Sequence, residues 1–230
     1  MNDNVVGAVT IGQTPVPVWP EGQEFAAFGH ETIVLTRFRD RDLYHGRLRN
    51  RLLAMGRDAM CSRKYYRGAC GTKIHHIERW GFPEAELLHA RALEFYRRVL
   101  DSPSAVADFT WASIYDNGDY CMPHSHTRST ASVLYFLDNG DDDPADPGGG
   151  RFCFTDPRLS VCCPEQEGCM TVSFLPDATP GTMMIFPSQL VHCVNPYWGE
   201  RPRITLSWNI NADALPGEAL PKELRAGAGT

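Results

Sequence analysis

Residues 203–210 read Arg203-Ile204-Thr205-Leu206-Ser207-Trp208-Asn209-Ile210, and polar and apolar side chains alternate along them without a break. Successive side chains of an extended strand point to opposite faces. Arg203, Thr205, Ser207 and Asn209 therefore share one face, and Ile204, Leu206, Trp208 and Ile210 share the other. The same texture runs back to Pro103. Short runs split by Gly, Pro and Asp predict strands near 108–116, 121–127, 132–138, 151–155, 169–175, 182–187, 190–195 and 202–210. Eight short strands are what a jelly roll, or double-stranded β-helix, is built from. Asn139 to Gly150 (NGDDDPADPGGG) is acidic and rich in Gly and Pro, and reads as an exposed loop.

Residues before about 105 look different. Val5–Val18 reads as irregular or extended, and Glu31–Arg37 as a short strand. Between Asp40 and Met60, Leu48, Leu52 and Met55 fall on one helical face. Residues 61–82 show no period and read as loops. Pro83–Leu100 is the clearest helix, with an apolar stripe at Leu88, Ala92, Phe95 and Val99. Pro83 suits its first position, and Glu84, Glu86, Arg97 and Arg98 complement its dipole. Asp101-Ser102-Pro103 ends it. The expected architecture is mainly β with an α layer: a cupin-like core with N-terminal helices packed on one sheet. One domain is expected over 1–230, with a helical support region (1–104), a double-stranded β-helix core (105–211) and a C-terminal tail (212–230).

The chain has 230 residues, of which 43% are apolar, so a full core is expected. A net charge of -6 argues against a nucleic-acid or anionic-membrane footprint. No apolar run approaches the ~20 residues that cross a bilayer. No basic and apolar leader opens the sequence, so a cytoplasmic protein is expected. That setting makes the eight cysteines reduced and mostly buried. Cys162, Cys163 and Cys169 lack a second pair at finger spacing, which disfavours structural zinc. A homodimer is compatible with this composition.

Cys121-Met122-Pro123-His124-Ser125-His126 carries the chemistry. On a strand, His124 and His126 point to one face, and His192 follows the buried run Gly181–Pro187 on a separate predicted strand. Three imidazoles from two strands form a facial set that leaves open positions on an octahedral ion. The competing reading makes the pair a surface or core feature. On the last strand, a buried Arg203 needs a partner, and a bound carboxylate matches its fork. Thr205 can donate to the same group. Arg203 could instead pair with one of the many acids, and Arg201 shares its face.

These pieces, in order, resemble the 2-oxoglutarate- and iron(II)-dependent oxygenases, within a bacterial and phage prolyl-hydroxylase-like subgroup. The matching stretches are Trp111–Tyr120 (WASIYDNGDY), His124-x-His126, Ser132–Leu137 (SVLYFL), Gly150–Arg158 (GRFCFTDPR), Gly181–Val194 (GTMMIFPSQLVHCV) and Arg203–Ile210 (RITLSWNI). The resemblance implies a double-stranded β-helix with iron(II) held by His124, His126 and His192. It implies that 2-oxoglutarate chelates the iron and reaches Arg203 with its far carboxylate. Oxygen takes the remaining position, and decarboxylation to succinate drives attack on a small-molecule, amino-acid or peptide substrate. His126 departs from the family, where Asp or Glu usually stands, and an all-histidine set leaves the centre more positive.

Tyr115 and Tyr135 flank the metal pair and read either as core aromatics or as further contacts to the cosubstrate carboxylate. Asp156-Pro157-Arg158 reads as a turn, and His75 and His76 as structural or exposed. Cys121 and Cys193 read as packing residues on the opposite strand face. The acidic loop Asp141–Asp146 and the Cys162–Cys169 loop are candidate lids. Two other functions compete: a three-histidine metal dioxygenase without 2-oxoglutarate, and a non-catalytic cupin-like metal-binding module. Neither needs a cationic anchor at Arg203.

Overall fold

The computed structural model describes residues 8–11, 14–17, 33–58, 62–66, 69–163 and 172–213. The chain divides into two compact units, Met1–His30 and Glu31–Thr230. In the first, strands β1 (Ala8–Ile11) and β2 (Thr14–Pro17) pair as an antiparallel hairpin. Every element below belongs to the second.

That unit begins with β3 (Val34–Arg37), helix α1 (His45–Gly56), and a hairpin of β4 (Ser62–Tyr66) and β5 (Ala69–His75). Helix α2 (Pro83–Leu100) follows. Then come β6 (Val106–Tyr115), β7 (Cys121–His124), β8 (Ala131–Asp138), β9 (Phe152–Phe154), β10 (Thr182–Pro187), β11 (His192–Val194) and β12 (Arg203–Asn211). Seven strands form one antiparallel sheet in the order β3-β10-β8-β12-β6-β5-β4, and three form a second in the order β7-β11-β9. From β6 to β12, sequence neighbours alternate between the two sheets, which is jelly-roll topology.

Each buried face of the large sheet has its own apolar layer. Ala112, Ile114, Val133, Tyr135, Leu206 and Trp208 cluster with Leu48 and Leu52 of α1 and Leu88, Ala92 and Tyr96 of α2. Tyr115, Leu134, Phe136, Met184 and Phe186 cluster with Phe152, Phe154 and Val194 of the small sheet. Residues one apart on β8 and β10 thus enter different cores, and a full set of side chains fixes the register.

Three sequence expectations change. The region 61–82 contains β4 and β5, which extend the large sheet beyond β6. Gly71 permits this: its φ is +60°, and a Cβ there would stand 2.4 Å from the Ile114 carbonyl oxygen. The buried face of α2 runs through Ala85, Leu88, Ala92 and Tyr96, and Val99 is exposed. The strand near 169–175 is reduced, among the described residues, to one bridge between Phe174 and Phe154. Residues 164–171, which include Cys169, and 214–230 lie outside the described residues.

Candidate metal centre

β7 ends on His124 and β11 begins on His192. Their antiparallel pairing sets these two residues directly opposite each other. His126 lies two residues past the end of β7, where its backbone N–H donates to the Ser188 carbonyl (2.7 Å). The three side chains bring one ligand atom each to within 4.8 Å of one another. Ring centroids are 4.4 Å apart for His124 and His192, 5.1 Å for His124 and His126, and 5.3 Å for His126 and His192.

Backbone carbonyls orient two of the rings. His124 Nδ1 lies 2.8 Å from the Met122 oxygen, and His192 Nδ1 lies 2.8 Å from the Leu190 oxygen. A carbonyl only accepts, so each Nδ1 carries its hydrogen and each Nε2 presents a lone pair. His192 is buried against Phe152 and Phe186, with ring centroids at 5.4 and 5.0 Å. That burial holds its pKa well below the ordinary value. Burial, then the neighbouring His124 and Lys73, lowers His126 to about 4. Both rings are therefore neutral at pH 7, the state in which imidazole binds a metal.

Arg203 opens β12 opposite Tyr115 and is 2% exposed. Its guanidinium lies 5.1 Å from the Tyr115 ring centroid and, with Phe136, Phe152 and Arg151, lines a recess between the sheets. Nη1 has no hydrogen-bond partner among the described residues. Burial pushes this guanidinium pKa downward, yet arginine stays charged in proteins. A buried, underbonded cation is costly until an anion meets it. Buried Thr205 stands two residues on, across from Ser113. Neutral imidazole donors suit iron(II), and the open guanidinium suits the far end of a dicarboxylate.

Residues 109–209 match the protein family described as "Putative 2OG-Fe(II) oxygenase". That span runs from β6 to β12 and contains all three histidines and Arg203. Over this span the chain matches the 2-oxoglutarate- and iron(II)-dependent oxygenases. Iron(II) and 2-oxoglutarate are the metal and cosubstrate of this family, which acts on a substrate with O2.

Solved structures share the fold. AviO1 from Streptomyces viridochromogenes Tue57 aligns with TM-score 0.59 at 15% identity, over 82% of this chain and 93% of that one. A Pseudomonas putida prolyl-4-hydroxylase aligns at 0.53 and 18%, over 78% and 92%. EctD from S. alaskensis, crystallised with 2-oxoglutarate and 5-hydroxyectoine, aligns at 0.59 and 17%, over 84% and 78%. No curated protein matches the sequence.

Within the oxygenase, Tyr115 lies beside Arg203, but Tyr135 is on the other side of the large sheet. The Tyr135 hydroxyl bonds to the Tyr44 hydroxyl (2.9 Å) and to His45 Nε2, within the layer shared with α1. It is a core aromatic and cannot reach the face that carries Arg203. Cys121 also departs from expectation. A register shift between β7 and β11 turns it inward, with Sγ 3.6 Å from His124 Nδ1. Cys193 alternates away from the histidines as expected and meets Cys153, Sγ to Sγ, at 3.0 Å. His75 packs against Phe109 with the rings tilted, and His76 is exposed.

Two residues of the site, Asp156 and Lys73, carry no role in the sequence reading, which took the first as part of a plain turn. Asp156, in the predicted turn, is 1% exposed and accepts the Val191 N–H at 2.7 Å, which fixes the backbone next to His192. Arg158 pairs with the same carboxylate through Nε at 2.9 Å and lowers it to about 2. Lys73, on β5, donates to Ser113 Oγ at 2.6 Å and lies 5.3 Å from the Tyr115 ring centroid. An acid before Pro and a Lys within a strand are too common to stand out. Their roles arise only from pairing between distant strands.

Proposed function

We propose that His124, His126 and His192 hold the iron, and that Arg203, with Thr205 and Tyr115, anchors the far carboxylate of 2-oxoglutarate. The observation that carries this reading is the buried Arg203 guanidinium, with Nη1 lacking a partner, on the sheet face that also looks onto the histidines. When bound, iron(II) and 2-oxoglutarate couple O2 reduction to decarboxylation of the keto acid and supply the oxidant that takes hydrogen from the substrate. The protein's own part is positional. Met122 and Leu190 carbonyls aim two imidazoles, Asp156 ties down the backbone before His192, and the Phe152 and Phe186 rings keep water from the His192 side.

The same reading covers the prolyl-hydroxylase-like subgroup, which rests on the order of the motifs. It treats the chain as one oxygenase domain whose reactive core is 105–211. The substrate is a small molecule, an amino acid or a peptide side chain. A reduced, cytoplasmic setting accords with the thiols of Cys153, Cys162, Cys163 and Cys193, none of them in a disulfide, and the net charge of -6 disfavours nucleic acid. No described helix is long and apolar enough to cross a membrane.

Slow substrate-free turnover tests the proposal. With iron(II), 2-oxoglutarate and O2, the purified chain should release succinate, and Arg203→Ala should abolish release at ordinary cosubstrate concentrations. Oxygen uptake without succinate would favour a three-histidine dioxygenase that needs no keto acid.

A further inference from the structure

The recess beside Arg203 holds more charge than one anchor supplies. Phe136 and Phe152 give it apolar sides, and its charged lining residues are Arg203, Arg151 and Asp142. Two guanidiniums and one carboxylate leave the lining with a net positive charge. Arg203 Nη1 has no hydrogen-bond partner among the described residues, although the side chain is 2% exposed. Burial lowers this guanidinium most, and the nearby charge of Arg151 adds to the effect. Two like charges around one cavity repel, and an anion set between them relieves both the repulsion and the burial.

Arg151 is firmly rooted but loosely paired. Its backbone N–H donates to the Gly148 carbonyl at 3.2 Å, and its own carbonyl accepts the Asn195 N–H at 3.0 Å. Gly150, just before it, has φ +62°, and a Cβ there would stand 2.6 Å from Tyr197 Cδ2. The backbone of Arg151 is thus fixed where β9 begins. Its side chain is 37% exposed and makes one ion pair among the described residues, Nη2 to Asp142 Oδ1 at 3.2 Å. Asp142 is 83% exposed, and a pair so open to water contributes little. The neighbouring acid, Asp141, is committed elsewhere: it accepts the Glu200 and Arg201 N–H groups and Arg201 Nε. A guanidinium has five donor hydrogens, so a single contact to Asp142 leaves most of the Arg151 fork unused.

We propose that Arg151 is a second anchor for the far carboxylate of 2-oxoglutarate, released from Asp142 as the cosubstrate enters the recess. Arg203 meets the carboxylate from β12, and Arg151 meets it from the start of β9. An ion pair open to water is exchanged for one between the sheets, where charge-assisted bonds are stronger. The added carboxylate also brings the lining to two positive and two negative charges. Arg151 thereby selects keto acids that end in a second carboxylate. This inference rests on the reading that Arg203 serves 2-oxoglutarate.

The test is calorimetric titration of the full chain, loaded with iron(II) under anaerobic conditions. The probes are 2-oxoglutarate and 2-oxobutyrate, which shares the keto-acid end and lacks the far carboxylate. Arg151→Gln should weaken 2-oxoglutarate about tenfold, the loss expected for a bond between charged groups, and leave 2-oxobutyrate unchanged. Asp142→Asn removes the competing carboxylate and should tighten 2-oxoglutarate about threefold, the scale of an exposed ion pair. The double variant should bind like Arg151→Gln alone, because Asp142 acts only through Arg151. Arg203→Ala tests the underlying reading separately. Unchanged 2-oxoglutarate affinity in Arg203→Ala removes that reading, whereas a loss there with none in Arg151→Gln removes only the second anchor. Equal weakening of both keto acids by Arg151→Gln also overturns the proposal. So does weaker 2-oxoglutarate binding in Asp142→Asn, because the pair would then only shape the loop. Asp142 is exposed, so this last arm decides even if Arg151→Gln fails to fold.

Discussion

His124 and His192 are each fixed through Nδ1 by a carbonyl two residues back, whereas His126 is held by its own backbone N–H on Ser188. The ring of His126 rests between Trp111 and the other two imidazoles. If it is a ligand, His126→Ala removes one of three protein donors and should purify with little iron. His126→Asp should retain iron, because a carboxylate also donates to the metal and lowers its charge. Metal analysis of the purified variants checks both, and near-wild-type iron in His126→Ala would remove this residue from the metal shell. Asp156 gives a pH signature. Its folded pKa, held at about 2 by Arg158 against an ordinary 3.8, contributes stability that is complete above 3.8 and lost as pH falls through 2. Asp156→Asn should therefore cost about 2 kcal/mol at neutral pH, with a gap to wild type that narrows as pH drops from 4 towards 2. Denaturant unfolding at several pH values measures it. His124, His126, His192 and Arg203 were legible because strand alternation gives each a face and the resemblance gives each a role. Tyr135 was ambiguous because both parities of Val133–Leu137 are apolar or aromatic, so only Ser132 at the start of the run marks which parity faces the histidines.

Elements show the same division between local and long-range information. The α2 boundary follows from Pro83 at its start and from Asp101, in the left-handed conformation at φ 49°, at its end. The strands β6, β8, β10 and β12 follow from period and turn residues. β4 and β5 were read as loop because Gly68, Gly71 and scattered charges obscure their period. They are strands because β6 offers an edge to pair with. This hairpin brings Lys73 beside Ser113 and Tyr115, so missing it concealed those contacts as well. The helix side of the large sheet tests the reassignment of Tyr135. Tyr135→Phe removes bonds to Tyr44 and His45 and should destabilise the fold by about 1–3 kcal/mol, leaving 2-oxoglutarate affinity unchanged. Thermal or denaturant unfolding and cosubstrate titration measure the two halves. A loss of affinity without a loss of stability would return Tyr135 to the cosubstrate.

At the scale of the molecule, the large sheet separates two tasks. One face packs on α1 and α2 and supplies rigidity, with Leu48, Leu52, Leu88 and Trp208 fully buried. The other closes with the small sheet around a polar stripe of Arg203, Thr205, Ser207 and Asn209, each 6% exposed or less. Burying four polar side chains in a row is costly without partners, and a bound dianion between the sheets would supply one for the first of them. The central claim is therefore that Arg203 and the three histidines act on one ligand from its two ends. Anaerobic addition of iron(II) and then 2-oxoglutarate, followed by visible absorption, tests it most directly. The wild-type chain should develop a weak charge-transfer band that saturates with the keto acid. Arg203→Ala should bind iron normally but need far more 2-oxoglutarate for the same band. No band in the wild type, or an unchanged titration in Arg203→Ala, would contradict the account.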